Sequence, residues 1–488
     1  MRNPVSEQAT RRPDRTAIVY NDTALTYAAL NLRIDCARRF LAGQGLGRRG
    51  AVALCLPNTL DAWVTALALR SLGRISVAIA APGEAPLLAL SEIAGLVVSD
   101  DEPLTGLAAD NSLRVIRTPR SVLCGESDST PLSGFPETLA GGHLMLSSGT
   151  TGTIKKVLIN AGSEPGHVRQ RTLCMDLDAD TVINIFDWAL WSSVGYIIPI
   201  TVWELGGTVV IRQPARHPGA RGHRRMTHAI TTPMMLASIL ADPEQGPWPG
   251  APRLFVTGSA LSLNQAAETL RRLTPNLIQS VGSTEAGMWC RTPIIQPRDV
   301  ASHRPTPGRV VQVVDESGTV LPAGQTGLVR VDSLPGARSY HEDEAATQTW
   351  FRDGFFYSGD LGVFDADGRL TIQGRMSDVV VVGGEKRAAE AFEAIVQRRL
   401  GETGVAVFST PGEGLTEELH VVFEGGTIPP VEDLKALAAD ELAAFPKVHF
   451  HALETLTRSD RGKLRRFIVK QRILAGWKPP AATTTQNP

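Results

Sequence analysis

Residues 144–159 read LMLSSGTTGTIKKVLI. Apolar segments flank a cluster, Ser147 to Gly152, of four hydroxyl side chains and two glycines, and Lys155 and Lys156 follow it. Glycine lets the backbone approach a ligand closely and adopt positive φ. Hydroxyls and backbone N–H groups donate to phosphate oxygens, and lysines neutralise charge. The segment reads as a loop that wraps a polyanion, although a Ser/Thr/Gly-rich surface turn has the same composition. It lacks the GxxxxGK[ST] spacing of a Walker A loop.

On either side of this loop, apolar runs of strand character alternate with helical patterns. AVALCLP (51–57), GTVVIR (207–212) and RLFVTG (253–258) lie near helical segments such as 61–72 and 233–240. That alternation implies an α/β fold with substantial parallel sheet. From about Gly308 the texture becomes β-rich, with Gly/Pro turns cutting a strand periodicity. FDADGRLTIQGR (364–375) reads as a hairpin turning at Asp367-Gly368. After Arg375 a smaller αβ unit follows: strand DVVVVGG, helix KRAAEAFEAIVQRRL, strands GVAVFST and LHVVFEG, and helix VEDLKALAADELAAF. The expected organisation is a large N-terminal domain over 1–375, whose part from about 308 to 375 is a β-rich subdomain. A small α+β domain follows over 376–478, and a disordered Pro/Thr-rich tail over 479–488.

A chain of 488 residues exceeds one core. Its 43% hydrophobic and 20% charged content is that of a globular protein, and a net charge of −1 gives no reason to expect nucleic acid or a membrane surface as partner. Five scattered cysteines without a CxxC pair argue against a zinc site or a disulfide framework and fit a reducing cytoplasm. The N-terminus has no signal-peptide core. The longest uncharged apolar stretch, Trp188 to Trp203, is 16 residues long, too short to span a membrane, and reads as buried core.

Three further segments carry chemistry. In SVGSTEAG (280–287) small residues bring backbone near a ligand, Thr284 can donate to phosphate, and Glu285 offers a hard oxygen to Mg²⁺. In FYSGDLG, Asp360 lies in a Gly-flanked turn suited to holding ribose hydroxyls, and Arg375 ends the same hairpin. In TRSDRGKLRR (457–466), Lys463 follows a glycine in a basic loop. Each segment alone also fits a solvated turn.

Their order and spacing resemble the adenylate-forming superfamily of acyl-CoA synthetases, peptide-synthetase adenylation domains and luciferases. The resemblance runs from LTYAAL (25–30) to Lys463. SSGTTGTIKK looks like the family's phosphate loop, GSTEAG its Gly-x-Thr-Glu motif and YSGD its ribose motif. GRMSDVVVVGGEK resembles its hinge and following loop, and RGK its C-terminal Gly-Lys. The resemblance implies that a carboxylate attacks the α-phosphate of ATP, forming an acyl-adenylate and pyrophosphate, and that a nucleophile then displaces AMP. Ser147, Ser148, Gly149, Thr150, Thr151, Gly152 and Lys155 would hold the β- and γ-phosphates. Thr284 would bind the α-phosphate beside Gly282 and Ser283, and Glu285 would hold Mg²⁺. Gly258, Ser259 and Ala260 would lie beside adenine, and Asp360 and Arg375 at the ribose. Lys463 would bridge the reacting carboxylate and the α-phosphate. A rotation of the C-terminal domain about the hinge at Ser377 would withdraw Lys463 and offer Gly383 and Gly384 to the acceptor.

The acyl pocket is expected in NIFDWALWSSVGYIIP (184–199), lined by Asp187, Trp188, Trp191 and Tyr196. Aromatic walls favour a flat or cyclic acid. FDWALW also resembles the segment in which amino-acid adenylation domains meet the substrate's ammonium through the Asp. The chain departs from the family pattern at Ile154, Lys156, Val281, Ser377, Ala389 and Ala391, and is short at 73–87. Those near the hinge bear on the acceptor, which the resemblance leaves as coenzyme A, a carrier-protein thiol or, as runner-up, an amine. A non-catalytic nucleotide-binding relative is the third reading.

Overall fold

Two largely parallel sheets organise the first three hundred residues. The computed structural model describes residues 3–486 apart from 22, 47–49, 86–87, 89, 105–112, 127–139, 149–153, 187, 212–225, 244, 334–335, 376–378, 383–384, 402–403, 412–416, 459–463 and 477–484. The first sheet has eight strands in the order Gly287–Ile294, Leu277–Ser283, Arg253–Val256, His228–Thr231, Val182–Asn184, Thr208–Ile211, Thr16–Tyr20 and Thr23–Thr26. Only its two outermost pairings are antiparallel. The second has six strands, Val115–Thr118, Ile93–Ser99, Ala51–Cys55, Ile75–Ala78, Gly142–Ser148 and Ile154–Ile159, antiparallel only in the last pair. Strands of a parallel sheet need crossovers, and the helices Thr59–Ser71, Ser193–Leu205 and Pro233–Leu240 supply them. Each starts at a side chain that accepts an N-terminal backbone N–H: Asn58, Ser192 and Thr232.

An antiparallel sheet follows: Val311–Val314, Thr326–Asp332, Phe355–Phe364 and Phe351–Arg352, with Leu370–Arg375 paired to Phe355–Phe364. The expected hairpin is present. Its turn spans Asp365 to Gly368, with Gly368 at φ +68° and the Asp365 carboxylate accepting from the N–H of Asp367 and Arg369. Beyond it, Val405–Pro411, Glu417–Glu424 and Lys447–Leu453 form a sheet with helices Ala389–Leu400, Val431–Asp440 and Arg466–Gly476. One expectation is corrected in this part. Glu385–Ala388 is a strand paired with Val379–Val382, so the helix begins at Ala389 rather than Lys386. Within the tail, Thr485–Gln486 forms a short strand on Lys447–Val448. No described helix is long and apolar enough to cross a membrane.

The core between the two large sheets contains a polar centre. Arg70 forms a bidentate ion pair with Glu164 and donates to the Tyr196 hydroxyl at 3.2 Å. The Tyr196 ring stacks between Trp63 (5.3 Å, 11°) and His143 (4.2 Å, 11°). A backbone carbonyl only accepts, so the His143 Nε2–H donates to Leu190 O at 3.0 Å and Nδ1 accepts from the Ser76 hydroxyl at 2.9 Å.

Burial holds several histidines neutral: His143, His167, His228, His303 and His451 are pushed down to about 4, and His420 to about 3. In the unfolded chain these rings take up protons below about 6.5. The unfolded state therefore binds more protons as pH falls, and stability declines between pH 6.5 and about 4. The urea midpoint is expected to be clearly lower at pH 5 than at pH 7.5. Equal midpoints at the two pH values would contradict the neutral assignment.

Candidate active site

The antiparallel hairpin sets the first pair of site residues. Asp360 and Arg375 are register partners on neighbouring strands, and Arg375 Nε lies 2.8 Å from Asp360 Oδ1. Arg375 also donates from Nη1 to Ser358 O at 2.7 Å, and the Ser358 hydroxyl accepts from the Asp360 N–H at 3.2 Å. Asp360 is buried. The expected Gly-flanked turn is corrected: Asp360 lies inside the strand Phe355–Phe364, and Gly359 before it takes φ +75°, a conformation that favours glycine.

Glu285 follows the strand Leu277–Ser283 and is buried. The Tyr340 hydroxyl donates to its Oε1 at 2.8 Å, and Oε2 has no hydrogen-bond partner among the described residues. Burial and then the Glu285 carboxylate push the Tyr340 hydroxyl far above the usual phenol range, so it stays a proton donor. The turn is built without slack. Ser283 Oγ accepts from the Ala286 N–H at 3.0 Å, and Glu285 O accepts from Ala337 N–H at 2.7 Å. A Cβ on Gly336 would meet Glu285 O at 2.3 Å, and one on Gly282 would meet Gly287 O at 2.5 Å. Thr284 is half-buried at the same turn. Val281 faces the core of the antiparallel sheet, packing beside Trp289 and Phe356.

Lys155 reaches this neighbourhood from the other sheet. It pairs with Ser147 in the hairpin around the phosphate loop, and Ser148 ends the preceding strand. Its Nζ lies 4.1 Å from the Trp350 ring centroid and 5.3 Å from that of Tyr340. Burial lowers its pKa, with Glu285 and Asp343 opposing that shift and Arg375 adding to it. Lys156 points away into the protein: it is buried and donates to Leu88 O at 3.0 Å, while its own carbonyl accepts from the His341 N–H at 2.7 Å. The second lysine is thus tied to the backbone at Leu88. Gly258, Ser259 and Ala260 are exposed just beyond the C-terminal end of the parallel strand Arg253–Val256, where ligands of such sheets sit.

A cavity of about 340 Å³ opens between the two parallel sheets. Trp188 and Trp191 line it together with Leu54, Leu56, Pro57, Ala78 to Ala80, Thr232, Met234 and Met235. Tyr196 is the correction here. It is 1% exposed in the core and is not on the cavity wall. Its ring stacks on His143, which in turn donates to the carbonyl of the cavity-lining Leu190. Leu146 N–H also donates to Trp191 O at 2.8 Å, so the tryptophan loop is tied to the strand that carries the phosphate loop.

Gly149, Thr150, Thr151, Gly152, Asp187, Ser377, Gly383, Gly384 and Lys463 lie outside the described residues. Sequence reasoning missed Tyr340 and Trp350, which sit in a polar segment without motif spacing. It also missed the cavity-lining Leu54, Leu56 and Pro57. Among the described residues, no group of three or more His, Cys, Asp or Glu is placed to hold a metal ion.

The protein-family model described as AMP-binding enzyme matches residues 5–341, and the chain belongs to that family. It is 25% identical to the indoleacetate–CoA ligase of Aromatoleum aromaticum over 96% of this chain and 97% of that one. Its fold matches o-succinylbenzoate CoA synthetase from Bacillus subtilis, solved with its acyl-adenylate intermediate, at a TM-score of 0.79 and 21% identity over 96% of this chain and 98% of that one. It also matches an amide bond synthetase from Marinactinospora thermotolerans at a TM-score of 0.71 and 20% identity, over 96% and 99% of the two chains.

Proposed function

We propose that this member of the AMP-binding enzyme family is an ATP-dependent carboxylic-acid ligase acting in the cytoplasm. A carboxylate oxygen attacks the α-phosphorus of ATP, the bond to the β-phosphate breaks, and pyrophosphate leaves with the electron pair. An acceptor thiol, of coenzyme A or a carrier protein, then takes the acyl group and releases AMP. One observation carries this reading. Lys155, Glu285 and the Asp360–Arg375 pair arrive from four separate segments of the chain at one neighbourhood. Such reactions need charge neutralisation and positioning above all.

Lys155 and the loop Ser147 to Gly152 hold the β- and γ-phosphates, Thr284 the α-phosphate, and Asp360 with Arg375 the ribose. Glu285 fits a Mg²⁺ ion, because such ions take one or two carboxylates and complete their shell with phosphate and water oxygens. When bound, Mg²⁺ neutralises phosphate charge. Lys463 stabilises charge as it develops at the α-phosphate. The acid occupies the cavity beside Trp188 and Trp191, whose apolar walls suit a cyclic or aromatic acid. An amino acid is the alternative if Asp187 reaches its ammonium. Residues 376–478 act as the mobile domain, turning at Ser377 and bringing Gly383 and Gly384 toward the acceptor. Five free thiols fit a reducing compartment.

The departures at Ser377 and Ala389 support a second reading, in which an amine takes the acyl group and an amide forms directly. Incubating ATP and a matching acid with coenzyme A, and separately with amines, distinguishes the two by the product's mass. Lys463→Ala is expected to lower acyl-adenylate formation by about 10²–10³-fold. Unchanged turnover in that variant would remove the role assigned to Lys463, whereas a parent chain that binds ATP but shows no turnover with any acid would favour a non-catalytic relative.

A further inference from the structure

Lys155 is held by aromatic faces. Its ammonium is buried against Trp350 at 4.1 Å and Tyr340 at 5.3 Å, and among the described residues it forms no hydrogen bond or ion pair. The two rings are themselves fixed. Tyr340 is locked by its hydroxyl on Glu285 and by an edge contact with Phe351 at 5.3 Å and 71°. Trp350 lies against Gly359, where a Cβ would stand 2.9 Å from the indole Cζ3. The indole therefore touches both Lys155 and the strand that carries Asp360. It also packs against the core of the large sheets and that of the antiparallel sheet.

The chemistry of this arrangement differs from a salt bridge. A carboxylate partner would neutralise the ammonium and compete with phosphate for it. A ring face attracts the cation through its quadrupole and leaves the charge intact. A lysine side chain has many rotamers, and confining it before the ligand arrives removes that cost from binding. We infer that Trp350 is a positioning residue for ATP: its indole holds the Lys155 ammonium in the neighbourhood of Glu285 and the Asp360–Arg375 pair. Gly359 is small so that the indole can reach. This inference rests on the placement of ATP proposed above.

The test is a double-mutant cycle read by calorimetric titration of the full chain with ATP and Mg²⁺, which needs no knowledge of the acid. Trp350→Ala and Trp350→Leu are each expected to weaken binding about tenfold, the scale of a desolvated cation–π contact. Trp350→Phe, which keeps a ring face, is expected to stay within about threefold of the parent. Lys155→Ala weakens binding, and adding Trp350→Ala to it brings no further loss, because the ring acts through the lysine. Thermal melts report whether each variant is folded, and the Leu and Phe pair keeps the comparison if the Ala variant is not. Losses that multiply across the cycle, or a Phe variant as weak as the Leu variant, overturn the positioning role while leaving the ATP site in place. A parent chain that fails to bind ATP with Mg²⁺ removes the site and this role together.

Discussion

Glu285→Gln lowers acid-dependent ATP–pyrophosphate exchange by about 10²–10³-fold, the usual consequence of losing one charged group at a reacting phosphate. The substitution is chosen to separate chemistry from folding. Glu285 is buried, and Tyr340 donates to its Oε1 at 2.8 Å. A glutamine amide oxygen can accept the same hydrogen bond, so the turn from Ser283 to Ala337 keeps its geometry and the melting temperature changes little. What the neutral amide cannot supply is an anionic oxygen for Mg²⁺. Raising the Mg²⁺ concentration is therefore expected to recover part of the loss. A variant that exchanges within about threefold of the parent, at equal Mg²⁺, would take Glu285 out of the reaction.

The second large effect is on stability. Glu164→Ala leaves the guanidinium of Arg70 buried without its carboxylate. Arg70 is 2% exposed, and it also donates to the Tyr196 hydroxyl at 3.2 Å, a neutral acceptor that cannot replace the carboxylate charge. Breaking a buried pair by removing one partner costs about 3–5 kcal/mol, against a total stability of about 5–15 kcal/mol for a typical protein. Urea unfolding is expected to show that loss. Replacing both residues with apolar ones of similar size, Arg70→Met with Glu164→Leu, is expected to recover much of it, because no charge is then left in the core. A Glu164→Ala variant less than about 1 kcal/mol below the parent would mean that Arg70 finds water or another acceptor. The network also reaches the cavity. Tyr196 stacks on His143, and His143 holds Leu190 between Trp188 and Trp191. Loosening the pair should therefore weaken acid binding more than ATP binding.

The fold was legible where local signals agreed with burial. Val-rich runs bounded by turn residues became the parallel strands, and the uncharged stretch from Trp188 to Trp203 became a buried loop and helix. Lys386 was misread because EKRAAEAFEA has continuous helical propensity. Pairing of Val379–Val382 with Glu385–Ala388 overrides that preference for the first residues. Asp360 and Arg375 were visible as a pair because a hairpin makes sequence distance into register. Lys155 was visible, but its surroundings were not. Tyr340 and Trp350 lie almost two hundred residues away, and only packing of the antiparallel sheet against the parallel ones brings their rings to the ammonium. Tyr196 was misplaced for a related reason. Facing the cavity and facing the core give a helix residue the same composition signal, and burial between Trp63 and His143 decides it. The two lysines, identical in sequence, alternate across one strand. Lys155 goes to the site and Lys156 to Leu88 O.

The central claim is acid-dependent chemistry at the α-phosphate of ATP. Exchange of labelled pyrophosphate into ATP, with Mg²⁺ and a panel of aromatic, cyclic, aliphatic and amino acids, tests it directly. The account predicts exchange that requires an acid, is strongest for an aromatic or cyclic one, and is lost in Lys463→Ala. A folded chain that binds ATP yet shows no acid-dependent exchange across the panel would contradict it.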